Sequence, residues 1–234
     1  MRGIEVLYED NHLIAVNKST NLLVHGDSTG DDTLEEQVKK YIKIKYDKPG
    51  DVYLGVLHRL DRMVSGVVVF ARTSKAAERM SRLIQERKFF KTYYAVTENT
   101  PEELSGSLRH FIIKDHENNI VKAHNNEKPG SKEAILHYEC IGQLGAFAML
   151  KISLVTGRPH QIRVQLKKIA CPILGDKKYG SKIGLPNGAL ALHCRSISFE
   201  HPVKKEMVSI SASFPTTDIW KEYGEIAKQY ESEN

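Results

Sequence analysis

Cysteine, tryptophan and long apolar runs are scarce in this chain. Its 234 residues include one tryptophan and three cysteines, which lie far apart at Cys140, Cys171 and Cys194 without any CxxC pair. This pattern argues against a disulfide framework or a structural zinc site and fits reduced thiols in the cytoplasm. The longest apolar stretch, 67–71, is much shorter than the roughly 20 residues of a membrane span. No apolar segment of a signal peptide is visible near the N-terminus, so we expect a cytoplasmic protein without membrane association.

The sequence also lacks the motifs of several large enzyme classes. The ten histidines are scattered, and no HExxH or clustered Cys/His spacing is present, which argues against a dedicated metal site. Neither a GxxxxGK[ST] loop nor a GxSxG elbow occurs, so P-loop nucleotide hydrolysis and α/β-hydrolase chemistry have no support.

Positive charge is in modest excess and unevenly placed. Lysine and arginine number 34 against 29 aspartate and glutamate residues, a net charge of +5. Such an excess can be no more than a solvated surface. If the basic segments share one face, however, they form an electrostatic footprint for a polyanion, and nucleic acid is then the partner to test. The basic segments are 39–48, 72–91, 158–168 and 177–182.

Alternating apolar and polar residues predict several strands with one buried face. In 207–214, for example, Val208, Ile210, Ala212 and Phe214 share one side. The sequence EHPVKK just before this segment predicts a hairpin turn. The predicted strands are 13–17, 135–141, 147–155, 189–199 and 207–214.

Three helices are predicted from capping signals and helical spacing. Thr33 and Glu36 form a capping-box pattern, a second helix begins near Thr73 or Ser74, and a third opens at Pro159. Many strands with few helices predict an α+β fold with a mixed, mostly antiparallel central sheet, flanking helices and a basic cleft. We expect a single domain over 1–234, in which the polar segment 98–132 forms hairpins and an exposed, mobile arm.

Two segments carry residues that suggest chemistry. In HRLDRMVSG (58–66), Asp61 stands between two arginines immediately before an apolar strand, a setting that favours the ionised carboxylate. The alternative is that Asp61 only caps a turn. In TGRPHQIRVQL (156–166), Arg163 lies one turn into a helix beside Ile162, so that its guanidinium needs an anion, for which Asp61 is the obvious candidate.

These segments resemble the signature blocks of the RluA-type RNA pseudouridine synthases. HRLDRMVSG is similar to the family pattern HRLDxxTSG, and 156–166 followed by CPILGDKKYG (171–180) is similar to GRxHQIRVHL…PIxGDxxYG. VNKSTNLLVH (16–25) and KTYYAV (91–96) match two further blocks, in the right order. The resemblance covers nearly the whole chain.

The resemblance implies an isomerase that converts uridine in rRNA or tRNA to pseudouridine, with no metal or organic cofactor. Asp61 would be the catalytic carboxylate, as nucleophile or as base, with Arg163 holding it ionised and oriented. Tyr93 would lie against the uracil face, although a tyrosine packed in the core is an equal alternative from the sequence alone. Arg59 would fill the space left by a base that has flipped out of its stack, and His58 is expected to be structural.

The expected RNA-binding residues are basic side chains near these blocks. These RNA-binding residues are Arg59, Arg62, Arg158, His160, Lys167, Lys168, Lys177 and Lys178. For the four lysines, a solvated surface without RNA contact is an equal alternative.

Some positions depart from the family pattern. Ser19-Thr20 stands where proline is usual, Ala170-Cys171 where Gly-His or Gly-Tyr is common, Val64 where threonine is usual and Gln165 where histidine is usual. The last two are the only support for the alternative of an RNA-binding or ribosome-assembly factor with little activity. A hydrolase that used Asp61 would need a second carboxylate or a metal, and no motif supplies either.

Many members of this family carry a small RNA-binding domain at the N-terminus, and we expect none here because the first predicted strand lies close to the start of the sequence. We therefore expect the catalytic domain and the 98–132 arm to recognise RNA. No obligate protein partner is expected, and a monomer is the default.

Overall fold

The computed structural model describes residues 4–26, 30–115, 118 and 120–233. The described residues form two compact units, one drawn from 4–91 with 194–213 and the other from 92–193 with 214–233. The strands are β1 (Glu5–Glu9), β2 (Leu13–Lys18), β3 (Gly55–Val56), β4 (Ser65–Ala71), β5 (Phe89–Thr97), β6 (Ser105–Asp115), β7 (Ile120–His124), β8 (Lys132–Leu144), β9 (Phe147–Leu154), β10 (Leu192–Glu200) and β11 (Met207–Ser211). The helices are α1 (Leu34–Lys45), α2 (Ser74–Gln85), α3 (Gln161–Lys168) and α4 (Asp218–Glu233), with short 3-10 turns at Lys177–Tyr179 and Pro186–Gly188.

The first unit is built on two apolar strands. Its strands lie in the order β1-β2-β4-β10, with β11 paired to β10 and β3 paired to β4. Every residue of β4 is buried, as are the first four residues of β2. A strand whose residues are all buried is covered on both faces, so the segment just before β4, which contains Asp61, is anchored to the centre of this unit.

The second unit is a meander of long antiparallel strands. Its order is β5-β9-β8-β6-β7, and β6 and β7 form a hairpin with Asp115 opposite Ile120. A small core of Ile112, Val121, Ala134, Val164 and Tyr179 joins this hairpin to α3 and to the 3-10 turn at 177–179. The segment 98–132 therefore contains β6 and β7. That this segment is mobile, and that the chain forms a single domain, stay predictions.

The α+β class with a mixed, mostly antiparallel sheet is confirmed, and so are two of the helix starts. Thr33 caps α1 with both halves of the capping box formed, and the hydroxyl of Thr73 accepts from the backbone N–H of Ala76 at the start of α2. Glu200 and Met207 pair across the predicted EHPVKK turn. Local capping and alternation are readable because the groups involved lie within a few residues of one another.

One predicted helix start was wrong, and one helix was not predicted. The third helix begins at Gln161 and not at Pro159, because His160 has a φ of 50° in the left-handed region, which a right-handed helix cannot include. The sequence analysis also missed α4, although Trp220, Tyr223 and Ala227 recur at helical spacing and are buried.

In the part of the chain that the structure describes, every helix is too short or too polar to span a bilayer.

Candidate active site

Asp61 begins a tight turn immediately before the buried strand β4. Its backbone carbonyl accepts the N–H of Val64 at 3.0 Å, and β4 starts one residue later at Ser65. The backbone of the turn is thus fixed at one end by its own hydrogen bond and at the other by the sheet. Asp61 as a whole residue is partly exposed.

The block that contains Asp61 ends in Gly66, a position that only glycine can occupy. Its φ is +118°, and a Cβ at this position would lie 2.2 Å from the backbone oxygen of Cys194. Any other residue would therefore clash with β10 and displace the first residues of β4. Because the Asp61 turn leads directly into this strand, the glycine also fixes where the turn lies.

A fully buried lysine donates a hydrogen bond to the backbone of the Asp61 turn. Lys18 has no solvent exposure, and its Nζ donates to the carbonyl oxygens of Ser19 at 2.9 Å, Leu22 at 2.7 Å and Arg62 at 3.0 Å. Burial lowers the pKa of Lys18, the negative charge of Asp61 partly offsets this and the charge of Arg62 adds to it, so that the pKa is about 7. The lysine is therefore both a link to the residue after Asp61 and a cation within electrostatic range of its carboxylate.

Lys18 was missed as a site residue. It lies inside VNKSTNLLVH, but lysine is usually exposed, and nothing local shows that all three N–H groups meet carbonyl oxygens. One of those carbonyls is 44 residues away.

His58 is structural in this unit, as the sequence predicts. The N–H of Val69 in β4 donates to His58 Nε2 at 3.0 Å, and the ring packs against Phe89 with centroids 5.3 Å apart. The residue as a whole keeps some exposure, but its Nδ1 atom is buried and has no hydrogen-bond partner among the described residues. Burial and, to a smaller extent, the charge of Lys91 together lower the pKa of His58 to about 3.

The low pKa of His58 predicts that the folded protein loses stability as the pH falls. Since the pKa of His58 is about 3 in the folded state against 6.5 in its unperturbed form, only the unfolded chain takes up the proton as the pH falls below 6.5. Folding stability is therefore lost across the range from 6.5 down to 3, with about 2 kcal/mol lost between pH 7 and pH 5. Urea unfolding of the wild type and of His58→Gln, whose amide oxygen can accept without titrating, checks this. Equal losses in both proteins would contradict the assignment.

The two arginines beside Asp61 have different surroundings. Arg59 is exposed. Arg62 is held within its own unit, because its Nε donates to Asn21 at 3.0 Å and its Nη1 lies 2.7 Å from an oxygen of Asp31. Arg59 is therefore the more available of the two for a ligand, and RNA binding by either one stays a prediction.

In the second unit, Arg163 is buried and paired with Asp176. Its Nε donates to Oδ2 at 2.7 Å and its Nη2 to Oδ1 at 2.8 Å, the bidentate geometry that a guanidinium and a carboxylate prefer. Only 1% of the Asp176 side chain is exposed. The need of Arg163 for an anion is confirmed, and Asp176 is an anion that the sequence analysis did not identify. Asp61 belongs to the first unit, and its pairing with Arg163 stays a prediction.

Tyr93 is buried in β5, opposite Ile152 of β9. Its predicted position against a uracil stays a prediction.

The remaining predicted RNA-binding residues lie in the second unit. Arg158 is half-buried and its Nε donates to the carbonyl of Glu133 at 3.0 Å, while His160 is half-buried with its Nδ1 2.7 Å from the hydroxyl of Tyr179. The other four residues are exposed lysines at the end of α3 and in the 3-10 turn. They are Lys167, Lys168, Lys177 and Lys178.

Two of the departures from the family pattern, Val64 and Gln165, have hydrogen-bond partners within the fold. Val64 is buried and closes the Asp61 turn. Gln165 is fully buried, and its Nε2 lies 3.1 Å from the carbonyl oxygens of Leu108 and Ala134 and from Nδ1 of His110. The amide thus links α3 to β6 and β8, which is a role within the fold.

Among the described residues, no three His, Cys, Asp or Glu side chains lie together in a group that could hold a metal ion.

Comparison with known proteins shows the family of this chain. Residues 12–168, more than half of the chain, match the RNA pseudouridylate synthases. The chain belongs to this family. It is 32% identical over 226 residues to ribosomal large subunit pseudouridine synthase D of Xylella fastidiosa, covering 91% of this chain and 66% of that protein.

A second relative and a solved structure are also similar to this chain. An uncharacterized RNA pseudouridine synthase of Chlorobaculum parvum is 31% identical over 234 residues, covering 91% of this chain and 71% of that protein. The structure of human RNA pseudouridylate synthase domain containing 4 superposes with a TM-score of 0.76 at 23% identity, covering 91% of this chain and 89% of the human one. At this identity the human protein shows a shared fold. The chain spans just under two thirds of the Xylella relative.

Proposed function

We propose that this chain is an RNA pseudouridine synthase that isomerises uridine in rRNA or tRNA, with Asp61 as its catalytic carboxylate. The observation that carries the proposal is the family match over residues 12–168, which includes the Asp61 turn. The name of the Xylella relative states that it acts on the large ribosomal subunit, which favours rRNA as the first substrate to test.

The reaction breaks the N1–C1′ glycosidic bond of uridine, rotates the uracil and forms a C5–C1′ bond, while the hydrogen at C5 leaves. Cleavage of a glycosidic bond develops positive charge on the sugar, which a fixed carboxylate stabilises. Asp61 suits this role because its backbone is held by Val64 and by the sheet, so that little rearrangement is needed during reaction. It acts either as nucleophile at the sugar or as base.

The target uridine has to leave its stack to reach such a carboxylate, at a cost of a few kcal/mol. Arg59 is proposed to occupy the space that the base leaves, since it is exposed and two residues from Asp61. Arginine can stack on neighbouring bases and also neutralise a phosphate. Arg163 is proposed to hold Asp61 ionised, and Tyr93 to lie against the uracil.

Tritium release from RNA transcribed with 5-tritiated uridine tests the function directly. Formation of the C5–C1′ bond expels the label at any site, so the target need not be known beforehand. Unmodified tRNA and rRNA transcripts are assayed separately, and release from one of them chooses the substrate class. Tight RNA binding without release from any transcript would contradict catalysis and favour an RNA-binding assembly factor.

The exposed lysines at the end of α3 are expected to contact backbone phosphates. Each phosphate contact contributes about 0.7–0.9 to the slope of log K against log salt concentration. The double variant Lys167→Ala/Lys168→Ala is therefore expected to lower the magnitude of that slope by about 1.4–1.8. The measurement is RNA binding by filter retention or fluorescence anisotropy across a salt series.

The matched control is Lys221→Ala/Lys228→Ala, two exposed lysines of α4 that pair with acids on their own helix. This control should leave the slope unchanged. An equal change in both double variants would show that net charge alone, and not a contact near α3, sets the affinity.

A further inference from the structure

The segment GDKKYG (175–180) builds a rigid enclosure around the guanidinium of Arg163. Asp176 caps the 3-10 turn, since its Oδ1 accepts the N–H of Tyr179 at 3.3 Å, and the same carboxylate accepts two hydrogen bonds from Arg163. The ring of Tyr179 lies 4.9 Å from Cζ of Arg163, a distance at which an aromatic face attracts a cation. We refer to Asp176 and Tyr179 together as the Arg163 clamp.

Gly175 sets the path of the chain into this clamp. Its φ is +87°, and a Cβ there would lie 2.2 Å from the carbonyl oxygen of Ala189. The backbone just before Asp176 is therefore fixed by close contact with a neighbouring segment, and the carboxylate has little freedom to move away from Arg163.

The hydroxyl of Tyr179 fixes the ring from two sides. It accepts the backbone N–H of Val121 in β7 at 2.9 Å and lies 2.7 Å from Nδ1 of His160. Because its oxygen already accepts from Val121, its own proton can be donated to the imidazole. Tyr179 is only 2% exposed and its bond to Val121 is buried, so water does not replace that bond at low cost.

The backbone conformation of His160, the partner of the Tyr179 hydroxyl, is unusual. Its φ of 50° lies in the left-handed region, a conformation that costs roughly 1–3 kcal/mol in a non-glycine residue and persists only where its surroundings hold it. The bond to Tyr179 is one such restraint. The hydroxyl thus joins the residue before α3, the hairpin strand β7 and the ring that covers Arg163.

We propose that Tyr179 is a positioning residue, whose hydroxyl holds the ring and the 3-10 turn in the place that orients the Arg163 guanidinium. The proposal rests on the function proposed above, in which Arg163 orients the catalytic carboxylate. Tyr179 itself does not touch the substrate. A displacement of the guanidinium by a fraction of an ångström lowers the rate of the chemical step more than it weakens RNA binding.

The test compares Tyr179→Phe with Tyr138→Phe. Tyr138 is a matched control because it is also a buried tyrosine of the second unit, and its hydroxyl donates to a backbone carbonyl, that of Glu103, at 3.0 Å. Both variants lose one hydroxyl, so both are expected to lower Tm by a few degrees. Only Tyr179→Phe is expected to lower kcat for tritium release, by about tenfold, with KM changed less than twofold.

A second measurement does not depend on activity. In the wild type the Nε–H of Arg163 is buried and bonded to Asp176, so its NMR signal should exchange slowly with water. Tyr179→Phe is expected to accelerate this exchange at least tenfold, and Tyr138→Phe to leave it unchanged. Equal exchange rates in the two variants overturn the positioning role, whether or not the protein is active. If the wild type releases no tritium while the exchange result holds, the proposed function fails and the clamp stands.

Discussion

Asp61→Asn is expected to abolish tritium release, with a loss of at least about a thousandfold, and to leave RNA affinity within about twofold of the wild type. The substitution removes the negative charge but keeps the size and the turn geometry, because the hydrogen bond that closes the turn uses the backbone carbonyl of residue 61 and the N–H of Val64. Neutral asparagine cannot stabilise positive charge on the sugar, nor can it act as nucleophile or base at neutral pH.

The control for this prediction is Asp51→Asn, an exposed aspartate of the same unit, which should leave activity unchanged. Thermal unfolding of both variants checks that the fold is retained. Substantial turnover by Asp61→Asn would refute the mechanism, while a large fall in its Tm would indicate that Asp61 caps a turn and has a role in stability.

Asp176→Asn is expected to destabilise the second unit by about 3–5 kcal/mol, because it leaves the buried guanidinium of Arg163 without its bidentate anion. For a chain of this size the loss corresponds to a fall in Tm of roughly 10 °C. Asparagine keeps an oxygen that can accept one hydrogen bond, but it removes the negative charge of the buried pair with Arg163. Activity is expected to fall as well, since the guanidinium would no longer be held in one orientation.

Asp218→Asn serves as the comparison for this second prediction. Asp218 also forms an ion pair, with Lys221 at 3.0 Å, but its side chain is 99% exposed. Exposed pairs contribute about 0–1 kcal/mol, so this variant should unfold within about 2 °C of the wild type. If calorimetry gave similar Tm values for the two variants, burial of the Arg163 pair would not carry the stability assigned to it.

The sequence alone was sufficient wherever the deciding groups are close together in the chain. The capping box of α1 joins Thr33 to Glu36, three residues apart. The hairpin between β10 and β11 follows from alternation on both sides of a short turn. The position of Asp61 just before an apolar strand could also be read directly, and with it the resemblance to a family that the comparisons confirm.

The helix α4 could also have been predicted from the spacing of its apolar residues. The helix α4 buries Trp220, Tyr223 and Ala227, a spacing typical of an amphipathic helix. The start of α3 was misplaced for a different reason. Proline at 159 is compatible with a first helical turn, but the left-handed conformation of His160 depends on its surroundings, including the hydroxyl of Tyr179.

Only the tertiary structure decided which partners the charged residues of the site have. Arg163 required an anion, but the chain offers 29 carboxylate side chains, and the pair with Asp176 depends on the 3-10 turn bringing that carboxylate to α3. Lys18 is a usual surface residue type, yet it is buried because three carbonyl oxygens converge on its ammonium group. Capping and alternation are local and leave a pattern in the sequence, whereas a buried charge is stabilised by groups that the topology brings together, and no local pattern records them.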